Sequence, residues 1–146
     1  MMNLIEEIRK SWGWTGLEPV AVVGENEFGN LIIKDSEGRY WRLCPEECYC
    51  KVVANNREEL DLLSADQDFL RDWYMQGIVE LANQTLGPLA EDRKYCLKLP
   101  AILGGAYDAE NLATAPLSEI VGLSGVIAQQ IKDLPDGASI TLQVVD

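Results

Sequence analysis

Leu31-Ile32-Ile33-Lys34-Asp35-Ser36-Glu37-Gly38-Arg39-Tyr40-Trp41-Arg42-Leu43 reads as a strand, a turn and a return strand. Two runs of β-branched and aromatic residues flank Asp-Ser-Glu-Gly, a turn-forming cluster, and that order predicts a β-hairpin. Upstream, Val20 to Val23 supplies an earlier strand across a Gly24–Gly29 loop. Tyr49 to Val53 supplies a later one after the turn at Pro45-Glu46-Glu47. Strands in such quick succession predict an antiparallel meander, because connections this short carry no parallel crossover.

Helical patterning surrounds these strands. Leu4, Ile5, Ile8 and Trp12 recur at helical spacing with Glu6, Glu7, Arg9 and Lys10 opposite, and Gly13 marks the stop. Asn55-Asn56-Arg57-Glu58-Glu59 sets an Asn three residues before a Glu, and Ser64-Ala65-Asp66-Gln67 sets a Ser three before a Gln. Both read as helix starts. From the second, one helix is expected to reach Leu86, with Leu70, Trp73, Tyr74, Gly77, Ile78 and Leu81 on a core-facing stripe. Tyr95 to Leu99 predicts a short strand. Thr114 is expected to cap a last helix, with Pro116 in its first turn and Leu117, Ile120, Val121, Ile127 and Ile131 facing inward. Pro135-Asp136-Gly137 reads as a turn into a closing strand, Ser139 to Val145. The expected fold class is α+β: one domain with a mainly antiparallel curved sheet and helices packed on one side.

One segment fits neither period: Leu99-Pro100-Ala101-Ile102-Leu103-Gly104-Gly105-Ala106-Tyr107-Asp108-Ala109-Glu110-Asn111-Leu112. Gly104-Gly105 allows a tight turn or a close backbone approach. Asn111 is a residue type that hydrogen-bonds neighbouring backbone. The segment reads as a structural loop with Tyr107 wedged against the core, or as part of a partner-binding surface. It resembles the Pro-x-x-Leu-Gly-Gly-x-Tyr-x-x-x-Asn-Leu signature of a known family, the C-terminal domain family of bacterial type VI secretion immunity proteins. Upstream, Phe28-Gly29-Asn30-Leu31-Ile32-Ile33 and the return strand through Trp41 are similar to that family's Gly-Asn-Leu strand pair. The two anchors bracket most of the chain, from Trp12 to Leu134. The resemblance implies a stand-alone, single immunity-type domain over residues 1–146 that neutralises a cognate secreted toxin. It carries over Gly29, Asn30, Gly104, Gly105, Tyr107 and Asn111 as signature residues, structural or interfacial.

Composition narrows the classes. A hydrophobic content of 47% over 146 residues suits one packed domain. No apolar run approaches the roughly 20 residues of a spanning helix. Met1 to Glu7 lacks the basic start and apolar core of a signal peptide, which makes the cytoplasm the expected address. With 12 Lys+Arg against 24 Asp+Glu, the formal net charge is −12. Such a chain repels nucleic acid and anionic membranes, so neither is an expected partner. The acidity serves solubility, or it steers a basic partner. The chain contains no histidine, which removes the commonest general base, the commonest metal ligand and every Ser–His or Cys–His pair.

The remaining chemistry-bearing residues have structural readings. Cys44, Cys48 and Cys50 are spaced Cys-x3-Cys-x-Cys with Cys96 far off, unlike the paired spacing of a zinc site. They read as buried thiols, and no metal or cofactor is expected. Glu46-Glu47 and Glu58-Glu59 sit at turns or helix starts, where negative charge is favourable. Neighbouring strand residues point to opposite faces, so one of Tyr40 and Trp41 is expected to face away from the main core. That residue serves as an interface anchor or lies under a loop or helix. The expected function is occlusion of a toxin's active site, with no catalytic residues in this chain. Tyr40, Trp41, Glu37, Glu46 and Glu47 are the candidate toxin-facing residues, matched to a basic cleft on the partner. A regulatory binding module, or an enzyme using carboxylates or a thiolate, is the alternative.

Overall fold

A computed structural model describes residues 3–134. Helix α1 (Leu4–Trp12) opens the chain, capped by Asn3, whose side-chain oxygen accepts from the Glu6 N–H at 2.8 Å. Four strands follow as an antiparallel meander in the order β1 (Pro19–Glu25), β2 (Leu31–Asp35), β3 (Tyr40–Cys44) and β4 (Tyr49–Ala54). The hairpin read from the sequence is the β2–β3 connection, closed by the Asp35 N–H on the Arg39 carbonyl at 2.9 Å. The Asp35 carboxylate accepts from the N–H groups of Glu37 and Arg39, so its own side chain holds the turn. Gly38 takes a φ of +81° there.

The α+β class holds, and the helices are distributed differently from the expectation of one-sided packing. One sheet face buries Leu31, Ile33, Trp41 and Leu43 against Ile8 and Trp12 of α1 and Val121 and Ala128 of α5 (Leu117–Ile131). The other buries Ile32 and Tyr40 with Ala54 beneath Trp73 and Phe69 of α3 (Gln67–Tyr74) and Leu60 of α2 (Arg57–Ser64). Alternation along β3 thus sends Trp41 one way and Tyr40 the other, as the strand period demands, but helices cover both faces. Tyr40 and Trp41 are both buried. Neither ring is available as an exposed anchor.

The long helix expected from Ser64 to Leu86 is two helices, α3 and α4 (Gln76–Leu86), broken at Met75 with φ +49°. Buried Asn26 explains the break: its Nδ2 donates to the Trp73 carbonyl at 2.8 Å, replacing a helical partner. Asp66, not Ser64, caps α3 by accepting from the N–H groups of Asp68 and Phe69, while Ser64 ends α2 with its hydroxyl on the Leu60 carbonyl. Trp73 is buried, but Tyr74 of the expected stripe is 63% exposed.

Strand β5 (Arg93–Leu97) pairs antiparallel with β6 (Leu112–Pro116) in a separate sheet. Thr114, expected as a helix cap, lies within β6 and accepts from the Arg93 guanidinium at 3.0 Å, and α5 starts after Pro116 without a side-chain cap. Phe28, Tyr95, Leu97 and Leu112 form a further core with Ala82 of α4. Helix α5 crosses α1 closely, because a Cβ at Gly125 would overlap the Ser11 backbone. The Trp12 indole donates to the Val121 carbonyl at 3.0 Å across that crossing. The turn at 135–137 and the strand at 139–145 expected from the sequence lie outside the described residues.

Candidate functional site, a cleft at the Cys44–Cys48 corner

After β3 the chain turns through a single helical turn, Pro45–Glu47, with Cys48 in a left-handed conformation. This corner sits between the two sequence anchors, and each anchor reaches it with one side chain. From below comes Asn30, fully buried, whose Nδ2 donates to both Glu46 carboxyl oxygens at 2.9 Å. The Asn30 amide oxygen accepts from Arg42 Nε at 3.2 Å and Nη2 at 3.0 Å. From above comes Tyr107, whose hydroxyl donates to Glu47 Oε1 at 2.6 Å. The two neighbouring glutamates therefore serve different sides of one corner.

Arg42 links this corner to α3. Its guanidinium is buried, ion-paired with Asp72, and stacked over the Trp73 and Phe69 rings at 5.2 and 5.9 Å. Burial disfavours its charge, but the Asp72 hydrogen bond and nearby negative groups outweigh that and raise its pKa. Glu46 shows the opposite balance. Burial dominates and holds its carboxyl above the usual range, with the Asn30 hydrogen bonds opposing. Among the described residues no buried side-chain nitrogen or oxygen lacks a partner, so this network is fully satisfied.

Between the corner and the α3–α4 break opens a cleft of about 750 Å³. Its walls include Glu47, Tyr49 and Tyr107 on one side and Leu70, Asp72, Tyr74, Met75 and Ile78 on the other. Tyr74 and Tyr107 are its exposed aromatic rings, at 63% and 42%. Asp72 keeps a side chain 70% exposed while holding Arg42 from the solvent side. Arg71, the other cation in the cleft, pairs with Asp68 at 3.0 Å. Among the described residues Glu47 forms no ion pair.

The thiols are poor nucleophiles. Burial, together with Glu46, pushes Cys44 far up, and Cys48 and Cys50 are pushed up to about 12, chiefly by burial. Tyr49 is likewise pushed up to about 12 by burial and by Cys44. Among the described residues no group of three or more Cys, Asp or Glu is arranged to hold a metal ion.

The structure divides the sequence candidates. Glu46, Glu47, Asn30 and Tyr107 meet at the corner. Glu37 lies apart in the β2–β3 turn, paired with Arg39 at 2.9 Å. Gly29 has φ +71° and a Cβ there would press on Leu117, so it fixes the approach of α5. Gly104 takes φ +96°, while a Cβ at Gly105 would overlap the Leu99 carbonyl. Asn111 ties the same loop by donating to the Leu99 and Ala106 carbonyls at 2.9 Å and accepting from the Leu99 N–H at 2.9 Å. Gly104, Gly105 and Asn111 build the loop, and Tyr107 projects from it. Arg42, Asp72 and Tyr74 were missed. Arg42 had a signal, being a lone charge inside the apolar run Tyr40-Trp41-Arg42-Leu43-Cys44.

No curated protein matches the chain. Residues 54–128 match the model of the family described as T6SS immunity protein Tdi1, C-terminal. That span includes α3, α4 and the whole Gly104–Asn111 loop, hence one wall of the cleft and Tyr107, whereas Gly29 and Asn30 lie outside it. Covering just over half of the 146 residues, the match establishes that the chain belongs to this family of type VI secretion immunity proteins.

Proposed function

We propose that this chain binds a cognate secreted toxin in the cytoplasm of the producing cell and neutralises it by covering the toxin's active site. It acts as one immunity unit over residues 1–146, without catalysis and without a cofactor. Family membership over residues 54–128 carries this reading. The cleft supports it, because exposed tyrosines on a concave, satisfied polar frame suit a protein partner. The raised thiols and the absence of histidine favour binding over chemistry. A net charge of −12 favours a partner with a basic active-site cleft over nucleic acid or an anionic membrane.

Co-expression with a candidate toxin, sought among the products of the neighbouring genes, tests the reading. The expected result is restored growth, a stable complex on purification and loss of toxin activity at stoichiometric amounts. A complex that leaves the toxin active overturns occlusion; no complex overturns binding. The association rate is expected to fall as salt rises, since fields reach only about 8 Å at physiological ionic strength. A flat rate would reduce the acidity to a solubility feature.

A further inference from the structure

We infer that the cleft between the Pro45–Glu47 turn and the α3–α4 break receives a projecting toxin segment that carries a basic side chain, seated between Glu47 and Asp72. This rests on the toxin-binding reading and names the chemistry of the contact. The concavity, about 750 Å³, has room for a loop and not merely for one ion. Leu70, Met75 and Ile78 offer apolar surface for the stem of a long side chain, and Tyr74 and Tyr107 offer ring faces beside it.

Charge selects the tip. Both arginines of the cleft are engaged, Arg42 by Asn30 and Asp72 and Arg71 by Asp68. The carboxylates retain capacity. Glu47 accepts a neutral hydroxyl from Tyr107 and has no cationic partner among the described residues. Asp72 is mostly solvent-facing, so it accepts from a second donor without releasing Arg42. An incoming ammonium or guanidinium completes this charge pattern, whereas an incoming carboxylate meets like charge. Tyr107 orients Glu47 and Arg42 orients Asp72 before the partner arrives, which lowers the ordering cost of binding.

The test measures affinity for the co-expressed toxin domain with Glu47→Lys, Asp72→Asn and, as an equal-charge control outside the cleft, Glu58→Lys. Melting temperatures accompany each variant, because Asp72 also supports Arg42. Glu47→Lys is expected to weaken binding more than tenfold and Asp72→Asn several-fold, while Glu58→Lys changes it less than threefold. Reversing the matching toxin residue, Arg or Lys to Glu, should restore affinity to Glu47→Lys. Folded variants that bind like wild type overturn the inference and leave the immunity role standing. An equal loss in Glu58→Lys also overturns it, in favour of bulk charge. A toxin that fails to bind the wild-type chain removes both readings.

Discussion

Glu46 and Glu47 are neighbours in sequence and opposites in the structure. Glu46 turns inward, is 5% exposed, and is held by Asn30 and Cys44. Glu47 turns outward, and among the described residues its side chain is held by the Tyr107 hydroxyl alone. The first joins a buried polar network whose failure costs the fold. The second stands at the rim of the cleft, where the proposed toxin contact would meet it. Of the residues that reach this corner, Asn30 belongs to the buried frame and Tyr107 stands at the exposed rim.

Breaking the inner side should have the largest effect. Asn30→Ala removes two donors to Glu46 and the acceptor for two Arg42 N–H groups in one step. Cys44 still holds Glu46 and Asp72 still holds Arg42, but stripping two buried charged groups of these bonds costs on the order of 3–4 kcal/mol. Urea denaturation should show that loss, and a change below about 1 kcal/mol would mean that water replaces the amide. Gly105→Val comes next. The added Cβ collides with the Leu99 carbonyl, and the loop must shift at about 2–3 kcal/mol. An unchanged melting temperature with lost toxin binding would transfer the whole loop to the surface side of the comparison.

How much of this division was legible in the sequence follows from where the information is local. The meander was legible because β-branched runs and an Asp-Ser-Glu-Gly turn state their own geometry. The α2 start was legible for the same reason, with Asn56 accepting from the Glu59 N–H at 2.9 Å. The break at Met75 was not, because its cause is Asn26, 49 residues away. Strand β6 was hidden by composition: Leu-Ala-Thr-Ala-Pro carries little strand signal, and its register comes from pairing with β5. The site followed the same rule. Gly104, Gly105 and Asn111 announced a loop, but the pairing of Arg42 with Asp72 joins positions 30 residues apart. Paired acidic residues gave no hint that one of them is buried.

Acid titration should separate two buried carboxyls whose shifts have opposite signs, Glu46 raised and Asp35 lowered. Burial raises the folded pKa of Glu46, so its contribution is fully present below the unfolded value near 4.5 and is lost as pH rises through the raised folded value. Asp35 behaves conversely. Burial disfavours its ionised form, but hydrogen bonds from the Trp41 indole and the Arg39 and Glu37 backbone N–H groups outweigh burial and lower its pKa. Its stabilisation is present above the unfolded value near 3.8 and is lost as pH falls through the lower folded value. Stability measured against pH should keep its acid-side loss in Glu46→Gln and lose its decline above the ordinary glutamate range. Asp35→Asn should do the reverse. Matching profiles for the two variants would show that neither carboxyl is set by its local partners.

Tyr107→Phe should have the smallest effect on the fold. The ring is 42% exposed and its hydroxyl bonds to a single rim carboxylate, so stability should stay within about 0.5 kcal/mol of wild type. Binding is another matter. Without the hydroxyl, Glu47 keeps its charge but loses the group that aims it into the cleft. A hydrogen bond to a charged group contributes about 1.5–3 kcal/mol where water is excluded. A toxin that seals the cleft should therefore bind roughly tenfold more weakly, equivalent to about 1.4 kcal/mol. Calorimetric unfolding and equilibrium binding on the same variant separate the possibilities. A stability loss beyond 1.5 kcal/mol would place Tyr107 with Gly105 and Asn111 as a builder of the loop. Unchanged stability and unchanged affinity together would mean that the toxin meets another face, and that the Tyr107–Glu47 bond only closes the corner over the buried network beneath it.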